Sequence, residues 1–186
     1  QEVRKPNSDY YVTDDGYTAI LSGSSNVTAE WAGVGFVICP SLRGQIEFLQ
    51  FNNRISSIRM RTAGGKMSLT TVYAPHNLID SDTKQHFYES LQSHLASFSV
   101  NGPRFIVGDL NARFGPKRLH EGHFLGDFGY GREAMHAVPL PNRDLLAEFC
   151  TSYGYVVANT LHPVPIERRV TYHEPSVRSM SPITPA

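Results

Sequence analysis

The apolar residues in the first half of the chain occur in short runs separated by turn residues, a pattern typical of β-strands. The run Gly33–Cys39 (GVGFVIC) is continuously apolar and stops at Pro40, so we expect a strand that is buried on both faces. Shorter runs follow at 46–51, 55–60 and 68–73, with Gly64-Gly65 as the turn between the last two. Strands joined by short turns pair antiparallel. The pattern therefore predicts consecutive hairpins rather than a doubly wound parallel sheet.

The second half of the chain has two helical patterns joined by a short strand. An apolar stripe at helical spacing, beginning after Ser81 or Asp82, is formed by Phe87, Leu91, Leu95 and Phe98. Residues 104–107 are expected to form a buried strand that leads into Gly108-Asp109. A second helix is expected to start with Asn142 as its N-cap and to end before Gly154. Its predicted core side is Leu145, Leu146, Phe149, Cys150 and Tyr153.

The remaining segments are less regular. Residues 115–141 are rich in Gly, His and Pro without a clear period, so we expect a long surface loop of the kind that often carries function. The last strand candidates are 155–158 and 170–172. Overall the sequence predicts one domain over residues 1–175, followed by an unstructured tail at 176–186.

Composition limits the class of protein. The 186 residues include 40% hydrophobic and 18% charged side chains, a mixture typical of a globular domain. No segment contains the ~18 to 20 unbroken apolar residues that a membrane span requires. The two cysteines, Cys39 and Cys150, are expected to be buried free thiols, because their spacing suggests neither a zinc site nor a disulfide framework. His120 and His123 are three residues apart in a Gly-rich loop, whereas a zinc-binding helix needs histidines four apart.

The formal net charge is zero and indicates no partner, but local charge is uneven. Between 51 and 66 there are four basic residues and no acidic one: Arg54, Arg59, Arg61 and Lys66. A second basic cluster consists of Arg113, Lys117 and Arg118. Such clusters suit a polyanion such as nucleic acid, but charge alone favours a solvated surface over a binding site.

The segment GDLNARFG, at 108–115, contains the residues with the clearest chemical potential. Asp109 and Asn111 are two positions apart, and in extended backbone they would project from one face. A carboxylate beside an amide can accept a proton from a water and hold that water in place. The alternative is a strand-to-loop turn in which both side chains bond only local amides.

Four motifs in order resemble the endonuclease/exonuclease/phosphatase superfamily: Gln1-Glu2, TVYAP at 71–75, GDLNARFG and VTY at 170–172. Within it the chain is most similar to the apurinic-type endonucleases encoded by LINE-like retrotransposons. NRDLLAEFC at 142–150 and VVANT at 156–160 look like that group's helix and strand after the catalytic loop. The resemblance implies a four-layer α/β sandwich of the deoxyribonuclease I type, in which helices flank two mostly antiparallel sheets.

The resemblance also implies roles for individual residues. Glu2 matches the metal-binding glutamate, Asp109 the aspartate that activates water, and Asn111 the asparagine that contacts the scissile phosphate. Tyr73 matches an aromatic position near that phosphate. The residues expected to contact nucleic acid are Thr171 and Tyr172 on a substrate-facing strand, and the cluster Arg113, Lys117 and Arg118. The implied cofactor is Mg²⁺ or Mn²⁺, and the implied substrate is DNA. The expected location is intracellular and, more narrowly, nuclear. A further expected partner is a reverse transcriptase domain in the same polypeptide.

Parts of the family pattern are missing from this sequence. In the family, a first strand with an asparagine precedes the segment that Gln1-Glu2 matches, and a closing Ser-Asp-His segment follows the strand that VTY matches. Neither the first strand nor the Ser-Asp-His segment is found in this sequence. We therefore expect a domain truncated at both ends that does not nick DNA by itself. Two alternatives stay open: a phosphatase or deadenylase of the same superfamily, and a non-catalytic nucleic-acid-binding remnant.

Overall fold

Two sheets and two α-helices account for most of the regular structure in this computed structural model. The structure describes residues 3, 7–23, 32–50, 52–98, 100–129, 140–165 and 168. The chain divides into two units, the first formed by residues 1–112 and 138–146 and the second by 113–137 and 147–186. Both sheets belong to the first unit. Glu2, Thr171, Tyr172 and the tail at 176–186 lie outside the described residues.

The first sheet has the order β1-β2-β3 and is antiparallel throughout. Its strands are β1 (Asp9–Val12), β2 (Thr18–Ser22) and β3 (Val34–Ile38). The second sheet has the order β4-β5-β6-β7. Its strands are β4 (Ile46–Gln50), β5 (Ile55–Thr62), β6 (Gly65–Tyr73) and β7 (Arg104–Asp109), of which only β7 runs parallel to its neighbour. The predicted hairpins of β4, β5 and β6 are confirmed, with the tight turn at Ala63-Gly64, one residue earlier than expected.

Apolar side chains from both sheets meet in a shared core. Ile20, Phe36 and Ile38 of the first sheet pack with Ile58 of the second. The two serines that interrupt the alternation of β5 are buried as well. Ser56 pairs with Ser22 of the other sheet at 2.7 Å between hydroxyl oxygens, while Ser57 faces the opposite side. Hydrogen bonding makes these buried polar groups tolerable, so β5 is covered on both faces.

Strand β3 differs from its prediction, because only one of its faces is covered. Val34, Phe36 and Ile38 are buried, whereas Val37 is 70% exposed. A continuous apolar run does not distinguish a strand buried on two faces from one that leaves an apolar side chain in solvent.

Helix α1 (Ser81–Ser97) covers the outer face of the second sheet. Asp80 is the N-cap: its carboxylate accepts hydrogen bonds from the backbone N–H and the hydroxyl of Thr83, both at 2.8 Å. These bonds hold the pKa of Asp80 below its usual value, the backbone bond contributing most. The predicted stripe is confirmed, since Phe87, Leu91, Leu95 and Phe98 are all buried. The first unit is thus an α/β arrangement of two packed sheets with a helix outside them, compatible with an α/β sandwich.

Strand β7 was expected to be buried and is instead largely exposed. Phe105 is 49% and Val107 44% exposed. Among the described strands β7 pairs only with β6, so it forms the edge of its sheet. An edge strand has no neighbour on one side to cover it, and an apolar run gives no information on strand order.

Helix α2 (Asn142–Tyr153) begins in the first unit and ends in the second. Leu145, Leu146, Phe149 and Cys150 are buried as predicted, but Tyr153 is 40% exposed, so that assignment was wrong. Gly154 has φ +67°, which confirms it as the residue after the helix, where a left-handed conformation is needed. Burial raises the pKa of the Cys150 thiol to about 11. Cys39 is half-buried and not buried as expected.

In the second unit, residues 113–129 form an ordered loop. Phe114, Phe124 and Leu125 are buried, and the rings of Phe114 and Phe124 are 5.8 Å apart. Leu125 makes an isolated parallel bridge with Val157, and Val157 donates its N–H to the carbonyl of Phe124 at 2.8 Å. The predicted strand at 155–158 is therefore reduced to one bridge, after which a 3-10 turn forms (Ala158–Thr160). No helix in the described part of the chain combines the length and the apolar character that crossing a membrane requires.

Candidate active site

The ends of β6 and β7 bring Tyr73 and Asp109 together. The two residues are direct partners in the parallel ladder, and the N–H of Ala74 donates to the carbonyl of Asp109 at 2.8 Å. Residues paired in register project from the same face of a sheet, and neighbouring strands are ~4.8 Å apart. Two residues separated by 36 positions, each named from a different motif, are therefore neighbours at one edge.

Gly108 makes this pairing possible. Its φ is +133°, and a Cβ atom built on it would lie 2.0 Å from the carbonyl oxygen of Val72 on β6. Because real Cβ atoms do not approach another heavy atom this closely, any larger residue would have to displace the backbone of the neighbouring strand. The close approach of β7 to β6 therefore requires glycine at this position of the GDLN segment.

Asp109 and Asn111 do not lie on an extended strand, so that part of the prediction was wrong. Strand β7 ends at Asp109, and Asn111 has φ +47°, a left-handed conformation that asparagine tolerates better than most residues. Asp109 Oδ1 accepts the N–H of Asn111 at 2.8 Å. The local turn bond considered as the alternative is therefore present, and it brings the two residues together by a turn instead of by strand periodicity.

The Asp109 carboxylate keeps one oxygen available. The residue is exposed, and Oδ2 makes no hydrogen bond within the described part of the chain. The amide of Asn111 is instead held in place, because Nδ2 donates to the carbonyl of Ala74 at 2.9 Å. An exposed carboxylate oxygen beside an amide fixed by its own hydrogen bond can contact a water or a ligand at this edge.

Arg54 places a positive charge next to Tyr73. Its Nη1 donates to the carbonyl of Tyr73 at 3.0 Å, and its guanidinium carbon lies 5.4 Å from the centre of the tyrosine ring. Arg59, from the same basic run, bonds Glu47 at 2.9 Å and stacks on Phe98. Arg54 is thus the member of this run that adjoins Tyr73, which the charge pattern alone did not distinguish.

Asn142 has a role that its position in the sequence did not predict. Helix α2 begins at Asn142, and the carbonyl of Pro141 accepts the N–H groups of Asp144 and Leu145, so Pro141 is the N-cap residue and the assignment of Asn142 was one position too late. The side chain of Asn142 is fully buried. Its Nδ2 donates to the carbonyls of Pro75 at 2.8 Å and Asn111 at 3.2 Å.

Asn77 and Lys84 extend the hydrogen-bond network of Asn142. The backbone N–H of Asn142 donates to Asn77 Oδ1 at 2.9 Å, and Lys84 Nζ donates to the carbonyl of Asn77 at 3.1 Å. Lys84 is 1% exposed. Burial lowers the pKa of its amine, an effect that the nearby carboxylate of Asp80 opposes. In the sequence, Asn77, Lys84 and Asn142 are scattered polar residues in loops and near helix starts. No sequence motif therefore identifies this hydrogen-bond network.

The other predicted site residues are not brought into this cluster by the described contacts. Arg113, Lys117 and Arg118 are exposed residues of the second unit, where Lys117 forms an ion pair with Asp127. Glu121 Oε2 accepts the N–H of Arg118 at 2.7 Å, and His123 contacts the hydroxyl of Thr151 at 3.2 Å. Over the residues that the structure describes, no three His, Cys, Asp or Glu side chains are grouped in a way that could hold a metal ion; Glu2, Thr171 and Tyr172 are not among those residues.

Comparison with known proteins identifies two relatives that share a name. Craniofacial development protein 2 of Bos taurus is 29% identical over 147 residues, which cover 78% of this chain and 24% of that protein. Craniofacial development protein 2 of Tragulus javanicus is 30% identical over 127 residues, 68% of this chain and 21% of the relative. Both are endonuclease/exonuclease/phosphatase-like proteins. The similarity is to that family.

The chain spans less than a quarter of the length of these relatives. No family model matches it, and no solved structure matches it. The similarity agrees with the superfamily resemblance of the motifs, and it does not single out the LINE-like group within it.

Proposed function

We propose that the edge formed by Tyr73, Asp109 and Asn111 is the catalytic end of a metal-dependent phosphodiesterase that nicks DNA. The observation that carries the proposal is the register of β6 and β7, which pairs Tyr73 with Asp109 and leaves an exposed carboxylate oxygen beside a fixed amide. The similarity to nuclease-like relatives supports the same reaction class. A fold does not determine its substrate, so the site residues carry the argument.

Each side chain at the edge has a role in this proposal. The Asp109 carboxylate accepts a proton from the attacking water and orients it, which the free Oδ2 allows. Asn111 contacts the scissile phosphate. Tyr73 and Arg54, which are hydrogen-bonded to each other, lie beside the phosphate in this proposal. The fixed positive charge of the Arg54 guanidinium stabilises the negative charge that develops on the phosphoryl oxygens.

A divalent cation suits the donor atoms at this edge. Carboxylate and amide oxygens are the ligands of hard cations, and Mg²⁺ is usually held by one or two carboxylates while it keeps several waters. Glu2 is the proposed ligand, with Mg²⁺ or Mn²⁺ as the ion. When bound, the ion supplies charge neutralisation at the phosphoryl group.

DNA and the retrotransposon context are the finer part of the proposal and rest on the resemblance of the motifs. In it, Arg113, Lys117, Arg118, Thr171 and Tyr172 contact the phosphate backbone, which gives affinity without base specificity. A reverse transcriptase domain in the same polypeptide and a nuclear location follow from the same context.

Plasmid nicking by the product of the complete reading frame tests the proposal. With Mg²⁺ or Mn²⁺ we expect conversion of supercoiled to open-circular DNA, and chelation should abolish it. Asp109→Ala should lower the rate by ~10² to 10⁴, the usual contribution of a general base. As a matched control, Asp82→Ala removes an exposed carboxylate in the first turn of α1 and should leave the rate unchanged. Nicking that persists at the wild-type rate in the Asp109→Ala product would refute the proposal.

A further inference from the structure

Asn142 connects three segments that are distant in sequence. It lies 67 positions from Pro75, 65 from Asn77 and 31 from Asn111, and it contacts all three by hydrogen bonds of 2.8 to 3.2 Å. Pro75 and Asn77 belong to the loop that follows Tyr73. Asn111 belongs to the loop that follows Asp109. One residue therefore ties the loops at the ends of β6 and β7 to the start of α2, through its side chain at Pro75 and Asn111 and through its backbone N–H at Asn77.

The hydrogen bonds of Asn142 fix the orientation of its amide. Nδ2 faces two carbonyl oxygens, and exchanging the amide nitrogen and oxygen would place three oxygens against one another. The opposite atom, Oδ1, is buried and has no hydrogen-bond partner among the described residues. Leaving the side-chain carbonyl of Asn142 buried and unpaired is unfavourable. An apolar residue would therefore fill this position at lower cost if the side chain only had to pack. The side chain does not cap the helix either, because Oδ1 accepts no N–H of the first turn among the described residues.

We infer that Asn142 is a positioning residue for the candidate active site. It holds the loop that carries Asp109 and Asn111 against the loop that follows Tyr73, so that the carboxylate and the amide stay in register. The inference rests on the proposed function for its catalytic consequence, whereas the positioning itself is a property of the loops. A shift of ~1 Å in such a support can reduce a rate by ~10²-fold.

The test compares Asn142→Asp with Asn101→Asp. The first variant keeps the size of the side chain and replaces the NH₂ donor with an oxygen that faces the carbonyls of Pro75 and Asn111. The second makes the same change at an exposed asparagine in the turn before β7. Hydrogen exchange of this chain followed by mass spectrometry reports on the loops, and steady-state nicking by the complete reading-frame product reports on catalysis.

We expect the Asn142→Asp variant to exchange the amides of 109–112 at least ~10-fold faster, since two hydrogen bonds are lost, with 55–62 unchanged. Its kcat for nicking should fall ~10- to 100-fold while KM stays within about twofold. The Asn101→Asp variant should match the wild type in both. If the Asn142→Asp variant does not fold, Asn142→Ser, which retains one donor, should show the same changes at smaller size.

Two results would overturn the inference: unchanged exchange at 109–112 in a folded Asn142 variant, or a uniform increase that includes β5, which would indicate a purely structural role. A wild-type product that does not nick DNA contradicts the proposed function, and the exchange measurement then decides the positioning role alone.

Discussion

Two polar clusters involve strands of the second sheet, one in its interface with α1 and one at the ends of β6 and β7. The interior cluster is Ser57, Thr70 and His94, in which the Ser57 hydroxyl lies 2.7 Å from both Thr70 Oγ1 and His94 Nε2. The edge cluster is Tyr73, Asp109 and Asn111. All three interior side chains are 0% exposed, whereas Asp109 is exposed at the strand ends. A serine beside a histidine has the composition of a catalytic pair, yet nothing can reach this one.

The two clusters differ in access: the interior side chains are fully buried, whereas Asp109 of the edge cluster is exposed. Burial lowers the pKa of His94, so that its neutral form is favoured inside the sheet–helix interface. The interior hydrogen bonds therefore contribute to the stability of the fold. The edge cluster has one carboxylate oxygen without a hydrogen bond among the described residues and a loop held by other residues, an arrangement that leaves it available to a ligand.

The largest effect should come from the glycine that allows the two strand ends to meet. Gly108→Ala places a Cβ atom 2.0 Å from the carbonyl of Val72 at a φ that alanine avoids. We expect the free energy of unfolding to fall by at least about 3 kcal/mol, or β7 to detach from β6. Urea denaturation measures the first and hydrogen exchange of 104–109 the second.

Gly64→Ala is the matched control for this prediction. A Cβ atom at Gly64 would meet nothing within 4 Å, so the free energy of unfolding should change by no more than about 0.5 kcal/mol. Equal effects of the two substitutions would show that the contact between Gly108 and Val72 does not determine the pairing, and the edge cluster would lose its structural basis.

A smaller effect should distinguish the interior cluster by its pH dependence. Because the pKa of His94 is lowered on folding, the unfolded chain binds more protons around and below pH 6.5, the ordinary value for histidine. Stability should therefore be highest above this pH and decrease as pH falls below it, by at most about 1.4 kcal/mol per pH unit for one group.

Urea denaturation between pH 5 and 8 for the wild type and His94→Gln isolates this contribution. The variant should lose this part of the pH dependence, and the exposed His162→Gln should retain it. A wild-type curve that superimposes on the His94→Gln curve after a constant offset would mean that the histidine is not held neutral by burial.

Sequence patterns predicted the elements of the first unit better than their environments. Three strand positions from β4 to β6 and the stripe of α1 followed from apolar periodicity, because that periodicity is imposed by the core itself. The exposure of Val37 on β3 and of most of the edge strand β7 depends on which elements lie next to them. A local sequence pattern does not contain this information. The hairpin of β1 and β2 was missed although Asp14-Asp15-Gly16 between polar and apolar residues is a usual turn signal.

For the candidate site, motif order found the residues but not the reason they meet. Tyr73 and Asp109 become neighbours through the register of two parallel strands. Asn111 joins them by a left-handed turn, contrary to the extended geometry expected from spacing. Asn142 was expected to be a helix cap because asparagine is one of the residues preferred at N-caps. Its hydrogen bonds to the carbonyls of Pro75 and Asn111 are visible only in the structure.

The most direct test of this account is to measure both nicking and unfolding for one substitution in each cluster. For Asp109→Asn in the complete reading-frame product we expect nicking to fall by about 10²-fold or more, with the free energy of unfolding of this chain within about 0.5 kcal/mol of the wild type. For His94→Gln we expect the reverse, a loss of about 1 to 3 kcal/mol in stability with the nicking rate per folded molecule unchanged. Wild-type nicking by the Asp109→Asn product would contradict the assignment of the edge cluster as the site.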